Sequence, residues 1–273
     1  MPFKAYMNWL ALDGLDKPAG GWVRAIADAG YDGIQFIEPL DVEAVAVARA
    51  LGLSICGSGR VNHPADAERL AREARAHSLK CLTLHVGWGM ETDDEGLRLI
   101  DAVLDAAARH GVPMHVETHR ATLFQDIRRT VDFVASRPAL SFNADLSHWY
   151  TGLEFVYGGL ERKLDFIVPV LERSDFMHGR IGNPGCMQID VGALDQAETL
   201  EPVRHFREMW SRIFAGFVQR RGRETDFPFA VELLAPSVYY ARTFQGREET
   251  DRWAQASVLT NLARRWYDAA AAV

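Results

Sequence analysis

Cysteine is nearly missing from this chain: Cys56, Cys81 and Cys186 are the only three in 273 residues, and no Cys-x-x-Cys spacing joins them. An odd, scattered set supports neither a disulfide framework nor a thiolate zinc site, and a reducing cytoplasm is the expected compartment. Long apolar runs are missing too. The opening MPFKAYMNWLALDGLDKP meets Asp13 and Asp16 before an apolar signal core forms, and charged or polar residues interrupt every stretch long enough to span a bilayer. Neither an export signal nor a membrane segment is expected.

Blocks of positive charge are also absent. The 30 Lys and Arg stand against 37 Asp and Glu, a formal net charge of −7, so nucleic acid is a poor partner. No linker rich in Pro, Gly or Ser divides the sequence, which is read as one domain over residues 1–273. After Trp9 the chain runs Leu10-Ala-Leu-Asp-Gly-Leu-Asp, with neither G-x-G-x-x-G nor a Walker pattern. An open doubly wound sheet would normally carry one, which leaves it the second choice of architecture.

What the chain has is alternation. Short apolar runs predict strands at 4–9, 33–38, 53–58, 81–86, 113–118, 140–145, 175–180 and 229–234. Stretches of helical period predict helices at 19–29, 42–50, 65–77, 95–110, 122–136, 160–173, 200–220 and 249–269. Gly30, Gly52 and the Gly111-Val112-Pro113 step stand where a helix hands back to a strand. Eight such units predict a single (β/α)8 TIM barrel, with 181–199 as its main insertion.

In that architecture, functional groups project from the C-terminal ends of the strands. Those ends read Asn8, Glu38, Ser58, His85, Glu117, Asp145 with His148, His178 with Arg180, and Glu232. A single Glu or His in such a place is commonly a loop residue or a helix cap. Four consecutive strands ending in Glu117, Asp145, His178 and Glu232 are a different matter, because each group is embedded in apolar sequence where an unpaired charge costs several kcal/mol. Three carboxylates and one imidazole make a hard, oxygen-rich set suited to a divalent cation, with Mn²⁺ the first choice and Mg²⁺, Co²⁺ or Zn²⁺ also suitable.

The strand-end Glu in MHVETHR, the Asp-x-x-His in NADLSHW, the His in FMHGR and the Glu in FAVELL resemble the pattern of the xylose isomerase-like TIM-barrel superfamily. The resemblance spans the chain and is strongest from Val112 to Pro236. The segment HGRIGNPGCMQID is similar to a subgroup described as sugar phosphate isomerase/epimerase-type proteins, although no phosphate motif is evident. It implies that Glu117, Asp145, His178 and Glu232 hold one metal and that Glu117 and Glu232 are the acid/base pair of an isomerase or epimerase working through a metal-stabilised enediolate. It further implies that His148 and Arg180 contact the substrate. In the family the arginine lies further along its loop, whereas Arg180 follows His178 by two residues.

His85, Trp88 and Trp149 complete the candidate substrate site, since aromatic faces commonly pack on the apolar side of a sugar ring. Trp9 is a further aromatic at the mouth, and His115 and His119 are read as supporting residues beside Glu117. The expected partner is a small carbohydrate, and a homo-oligomer is compatible with the sequence. A dehydratase or lyase expelling a beta substituent from a keto sugar or keto-inositol is the alternative, because it shares the metal and the base. An endonuclease IV-like nuclease, suggested by His63 and His85, lacks its Asp-x-His, for which the chain reads Asp190-Val191-Gly192. A non-catalytic binding barrel is disfavoured by the intact set of four.

Overall fold

The computed structural model describes residues 2–272. Eight parallel strands pair in sequence order and close on themselves, β8 against β1, to form a (β/α)8 TIM barrel. The units run β1 (Phe3–Asn8), α1 (Trp22–Asp28), β2 (Gly33–Ile37), α2 (Val42–Ala50), β3 (Ser54–Val61), α3 (Pro64–Ala76), β4 (Leu82–Val86), α4 (Asp93–His110), β5 (Met114–Glu117) and α5 (Ile127–Ser136). They continue through β6 (Phe142–Ala144), α6 (Leu146–Gly152), α7 (Leu160–Phe166), α8 (Val168–Leu171), β7 (Ser174–Gly179), α9 (Glu201–Arg221) and β8 (Phe227–Val231). A small hairpin, β9 (Thr243–Phe244) and β10 (Arg247–Glu248), precedes the closing helix α10 (Arg252–Ala271).

Helix boundaries follow local chemistry. Thr92 and Glu95 form a reciprocal capping box at the start of α4, and Gly111, at φ 64°, ends that helix in the left-handed region. The expected helix 122–136 begins only at Ile127, where the Asp126 side chain accepts from Arg129 N and supplies a cap of about 1 kcal/mol. The expected helix 160–173 is broken into α7 and α8. Pro169 has no N–H to give and crowds the preceding turn, so the chain restarts at Val168.

Two strand ends move in ways that matter for the site. The expected strand 140–145 shrinks to Phe142–Ala144, with a register shift against β7 between Phe142 and Asn143. Asp145 is therefore the N-cap of α6, a helix that the apolar periodicity does not predict, and its Oδ1 accepts from Ser147 N at 3.1 Å. Glu232 lies just past β8, but its N–H still donates to Gly179 O at 3.2 Å.

Most apolar residues pack between barrel and helices, where Phe3, Phe206, Trp210, Phe229, Trp266 and Tyr267 belong to one continuous core. Burial of this kind contributes roughly 25 cal/mol per Å². Inside the barrel a smaller cluster of Tyr6, Cys56, Cys81, Phe176 and Ala230 forms a separate apolar plug. Above that plug the lumen is polar: Asn8, Gln35, Thr83 and Asn143 are all fully buried. Among the described residues no helix is long and apolar enough to cross a membrane.

Candidate metal centre

Glu117, Asp145, His178 and Glu232 converge at the C-terminal mouth, each offering a ligand atom within 4.8 Å of the others. All four are buried. Neighbours other than Arg180 take one oxygen of each carboxylate, and the second oxygen is turned to the centre. Asp145 Oδ1 accepts from the Ser147 amide at 3.1 Å and from its hydroxyl at 2.5 Å. Glu232 Oε1 accepts from Asn8 Nδ2 at 2.9 Å, and Glu117 Oε2 accepts from Asn143 Nδ2 at 3.1 Å and lies 3.3 Å from His85 Nε2.

The remaining atoms face one another. His178 Nδ1 lies 3.5 Å from Glu117 Oε1 and 3.3 Å from Glu232 Oε2. Glu117 Oε1 is buried without a hydrogen-bond partner, a costly position for a carboxylate oxygen that a cation would relieve. The donor set, its geometry and this orphaned oxygen all fit a hard divalent ion.

The orientation of His178 is fixed from the backbone upward. Leu10 N donates to Asn8 Oδ1 at 2.9 Å, which turns Asn8 Nδ2 toward Gln35 Oε1 at 3.0 Å. Gln35 Nε2 points to Thr83 Oγ1 at 2.8 Å, so Gln35 Oε1 is the atom that meets His178 Nε2 at 2.9 Å. That nitrogen must carry the proton, and Nδ1 is the one presented to the carboxylates. Asn143 Nδ2 sits 3.1 and 3.2 Å from the two ring nitrogens and is directed at neither lone pair. Gly179, between His178 and Arg180, is required by packing, since a Cβ there would lie 2.1 Å from the Phe229 ring.

Charge is concentrated without solvent. Burial raises the Asp145 carboxyl to about 6 against the pull of Arg180, and the neighbouring Glu232 and Glu117 push the same way. For Glu117 burial is outweighed by His178 and His85, which hold it well below the usual carboxylate range. Glu232 is lowered in the same way, against burial, by His178 and Arg180. His178 itself is raised well above the ordinary imidazole value, because Glu232 and Glu117 outweigh its burial. His148 is driven well below that value by burial, with His119 and Arg180 adding to it, so its approaches to Asp145 and Glu117 are not ion pairs.

Arg180 is fully buried within the cluster. Its Nη2 donates to Asp145 Oδ2 and to Glu232 Oε2 at 3.0 Å and lies 3.1 Å from His148 Nε2, and its Nε donates to Ser147 Oγ at 3.0 Å. Tyr240, from the segment between β8 and α10, lies over the guanidinium with 4.4 Å from Cζ to its ring centre. His85, His119 and His148 form a row of mutually tilted rings, with ring centres 4.2 and 3.8 Å apart.

Trp88 is half-exposed beside these rings, covered by the Arg60 guanidinium at 3.9 Å, and Arg60 also meets His85 Nδ1 at 3.2 Å. Trp149 is elsewhere. It belongs to α6, is completely buried and donates its indole N–H to Phe124 O at 2.9 Å, so it offers no face to a ligand. Trp9 packs on Phe36 and Glu38 pairs with Arg69 of α3. His115 is held by Ser141 at 2.7 Å, and His63 is an exposed residue at the start of α3, outside the cluster.

Gln35, Ser147, Arg60 and Tyr240 were not singled out from the sequence. Gln35 had a signal, being the one polar side chain in the strand GIQFI. Tyr240 had none, because its place over Arg180 depends on how an irregular segment folds back.

No protein-family model and no curated protein sequence matches the chain. Solved structures do. L-ribulose 3-epimerase matches with a TM-score of 0.61 and 12% identity over 98% of this chain and 95% of that one. A xylose isomerase-like TIM-barrel protein from Mycobacterium smegmatis, in complex with magnesium, matches with a TM-score of 0.60 and 15% identity over 99% and 97%. The probable 3-DHS dehydratase AsbF from Bacillus anthracis matches with a TM-score of 0.56 and 13% identity over 96% and 97%. The chain thus has the fold of the xylose isomerase-like TIM barrels.

Proposed function

We propose that the protein is a divalent-metal-dependent isomerase or epimerase acting on a ketose or a related polyol carbonyl compound. The observation that carries this reading is Glu117 Oε1, a buried and unpartnered carboxylate oxygen turned into a set of four ligand-capable side chains. An ion held by Glu117, Asp145, His178 and Glu232 would supply Lewis acidity at a carbonyl oxygen, with Mn²⁺ the first choice and Mg²⁺, Co²⁺ or Zn²⁺ the alternatives.

The rest is assigned to the chain's own groups. Glu117 and Glu232 come from β5 and the end of β8, with β6 and β7 between them, and both are held ionised. One removes a proton alpha to the carbonyl and the other returns it, in an order set by the handedness of the substrate. Neutral His148 and the Arg180 guanidinium are polar groups for substrate oxygens. His85 and the half-exposed Trp88 line the approach. The buried floor of the lumen excludes water from beneath.

A second reading shares the base. If the substrate carries a leaving group beta to the carbonyl, proton removal by the same glutamate expels it, and the protein is a dehydratase or lyase on a keto sugar or keto-inositol. The fold shared with the probable dehydratase is in keeping with this. Metal loading followed by turnover of a panel of ketoses and 3-keto sugars in D₂O tests both readings. Roughly one ion per chain is expected, with deuterium at the carbon alpha to the carbonyl for the epimerase and a released beta substituent for the lyase. Protein that stays metal-free at saturating Mn²⁺, Co²⁺ and Zn²⁺ overturns the mechanism.

A further inference from the structure

We propose that Arg180 is a resident cation that competes with the metal: one guanidinium nitrogen holds the two carboxylate oxygens that a bound ion needs and must release them when the ion enters. The inference rests on the metal reading above and goes beyond it, since it makes Arg180 the residue that sets metal affinity.

The argument is a count of oxygens. Asp145 Oδ1 is committed to Ser147 and Glu232 Oε1 to Asn8, so Asp145 Oδ2 and Glu232 Oε2 are the oxygens left for a cation. Both are in contact with the same atom, Arg180 Nη2. A hard divalent ion binds carboxylate oxygen at about 2.0–2.6 Å, so an ion touching both oxygens stands beside Nη2 with no room for water between the two charges. Like charges that close, in a site with almost no exposure, repel strongly.

The guanidinium is held in a way that allows it to yield. Nη1 is buried without any hydrogen-bond partner, so the present pose leaves a donor unsatisfied. Nε is tied separately to Ser147 Oγ at 3.0 Å, and the Tyr240 ring covers the guanidinium face. Turning Nη2 away from the two carboxylates rotates the planar guanidinium as a whole, so the Nε contact with Ser147 changes in the same movement while the ring of Tyr240 still lies against the group. In the metal-free protein the same cation balances carboxylates that would otherwise repel one another, which makes Arg180 a placeholder for the ion.

The test is Mn²⁺ binding to purified protein, read from the free-ion EPR signal, for the wild type, Arg180→Met and Arg180→Ala. The expected result is an affinity at least tenfold tighter in Arg180→Met, together with a lower metal-free Tm that Mn²⁺ restores. In Arg180→Ala, millimolar methylguanidinium should weaken Mn²⁺ binding competitively and leave the wild type unaffected. If a variant does not fold without metal, the wild type still decides the matter: Mg²⁺ titration should shift the Arg180 Nε–H resonance, assigned by its loss in Arg180→Lys. Equal or weaker Mn²⁺ binding in Arg180→Met, or an unmoved resonance at saturating Mg²⁺, overturns the competition and leaves the metal site standing. No binding by any of the proteins overturns the metal reading and the competition with it.

Discussion

Gln35 Oε1 accepts a hydrogen bond from His178 Nε2 at 2.9 Å, and this contact decides which imidazole nitrogen faces the carboxylates. Replacing Gln35 by Met removes the acceptor and keeps the length. The ring is then free to turn or change tautomer, and divalent-metal affinity is expected to fall roughly 10- to 100-fold, measured by calorimetry. Unchanged affinity would show that His178 is oriented by something other than the chain from Leu10 through Asn8 and Gln35.

Metal binding should tighten as pH rises. His178, raised well above the ordinary imidazole value, holds a proton that Nδ1 must lose to become a ligand, and Asp145, raised to about 6, must also ionise. The sign for metal-free stability is the same for both groups. Each binds its proton more tightly in the folded state, so its contribution is greatest at low pH and is lost as pH climbs through the folded value. For Asp145 that window runs from the ordinary aspartate value of 3.8 to about 6. The Mn²⁺-induced rise in Tm should therefore be larger near pH 8 than near pH 5.5, with proton release visible by calorimetry in buffers of different ionisation enthalpy. A rise that shrinks with pH contradicts this assignment.

The paired glutamates are tested by Glu117→Gln and Glu232→Gln. Each should lower kcat by more than ~10²-fold, with deuterium exchange at the carbon alpha to the carbonyl lost alongside. Metal content has to be measured for each variant, because only one that keeps its ion reports on proton transfer. Near-normal rates in both metal-loaded variants would end the two-glutamate mechanism.

His178 and His148 should separate cleanly. His178→Ala removes a nitrogen that faces two carboxylates and is expected to lose metal. His148→Ala removes a neutral ring that lies 3.1 Å from Arg180 Nη2, and it should retain the ion while raising KM or lowering kcat. Equal metal loss in both variants means that the ligand set is drawn wrongly.

The sequence carried the barrel because its signal is repeated: each βα unit has an apolar run, a helical period and often a Gly or Asp at the junction. It also carried the four acidic and imidazole positions, since polar groups in apolar strand ends are conspicuous without any contact information. What it could not carry were relations between elements. The apolar run places Asp145 at the end of a strand, whereas a register shift shortens β6 and leaves that residue capping α6. Trp149 looked like a mouth residue by position, but α6 turns it inward onto Phe124 O. The contact between Arg180 Nη2 and two carboxylates depends on where β6, β7 and β8 sit relative to one another, and spacing along the chain holds no trace of that.

The plug of Tyr6, Cys56, Cys81, Phe176 and Ala230 has a kinetic meaning. With the barrel stopped below the polar layer, the centre is a blind well, and whatever reaches Glu117 comes by way of the mouth where Tyr240 lies over Arg180 and its hydroxyl meets His119 Nε2 at 3.3 Å. Arrival and departure share one doorway. On the proposed activity, product would have to clear it before the next molecule entered, and the ceiling on turnover would then belong as much to the traffic past Tyr240 as to the chemistry underneath.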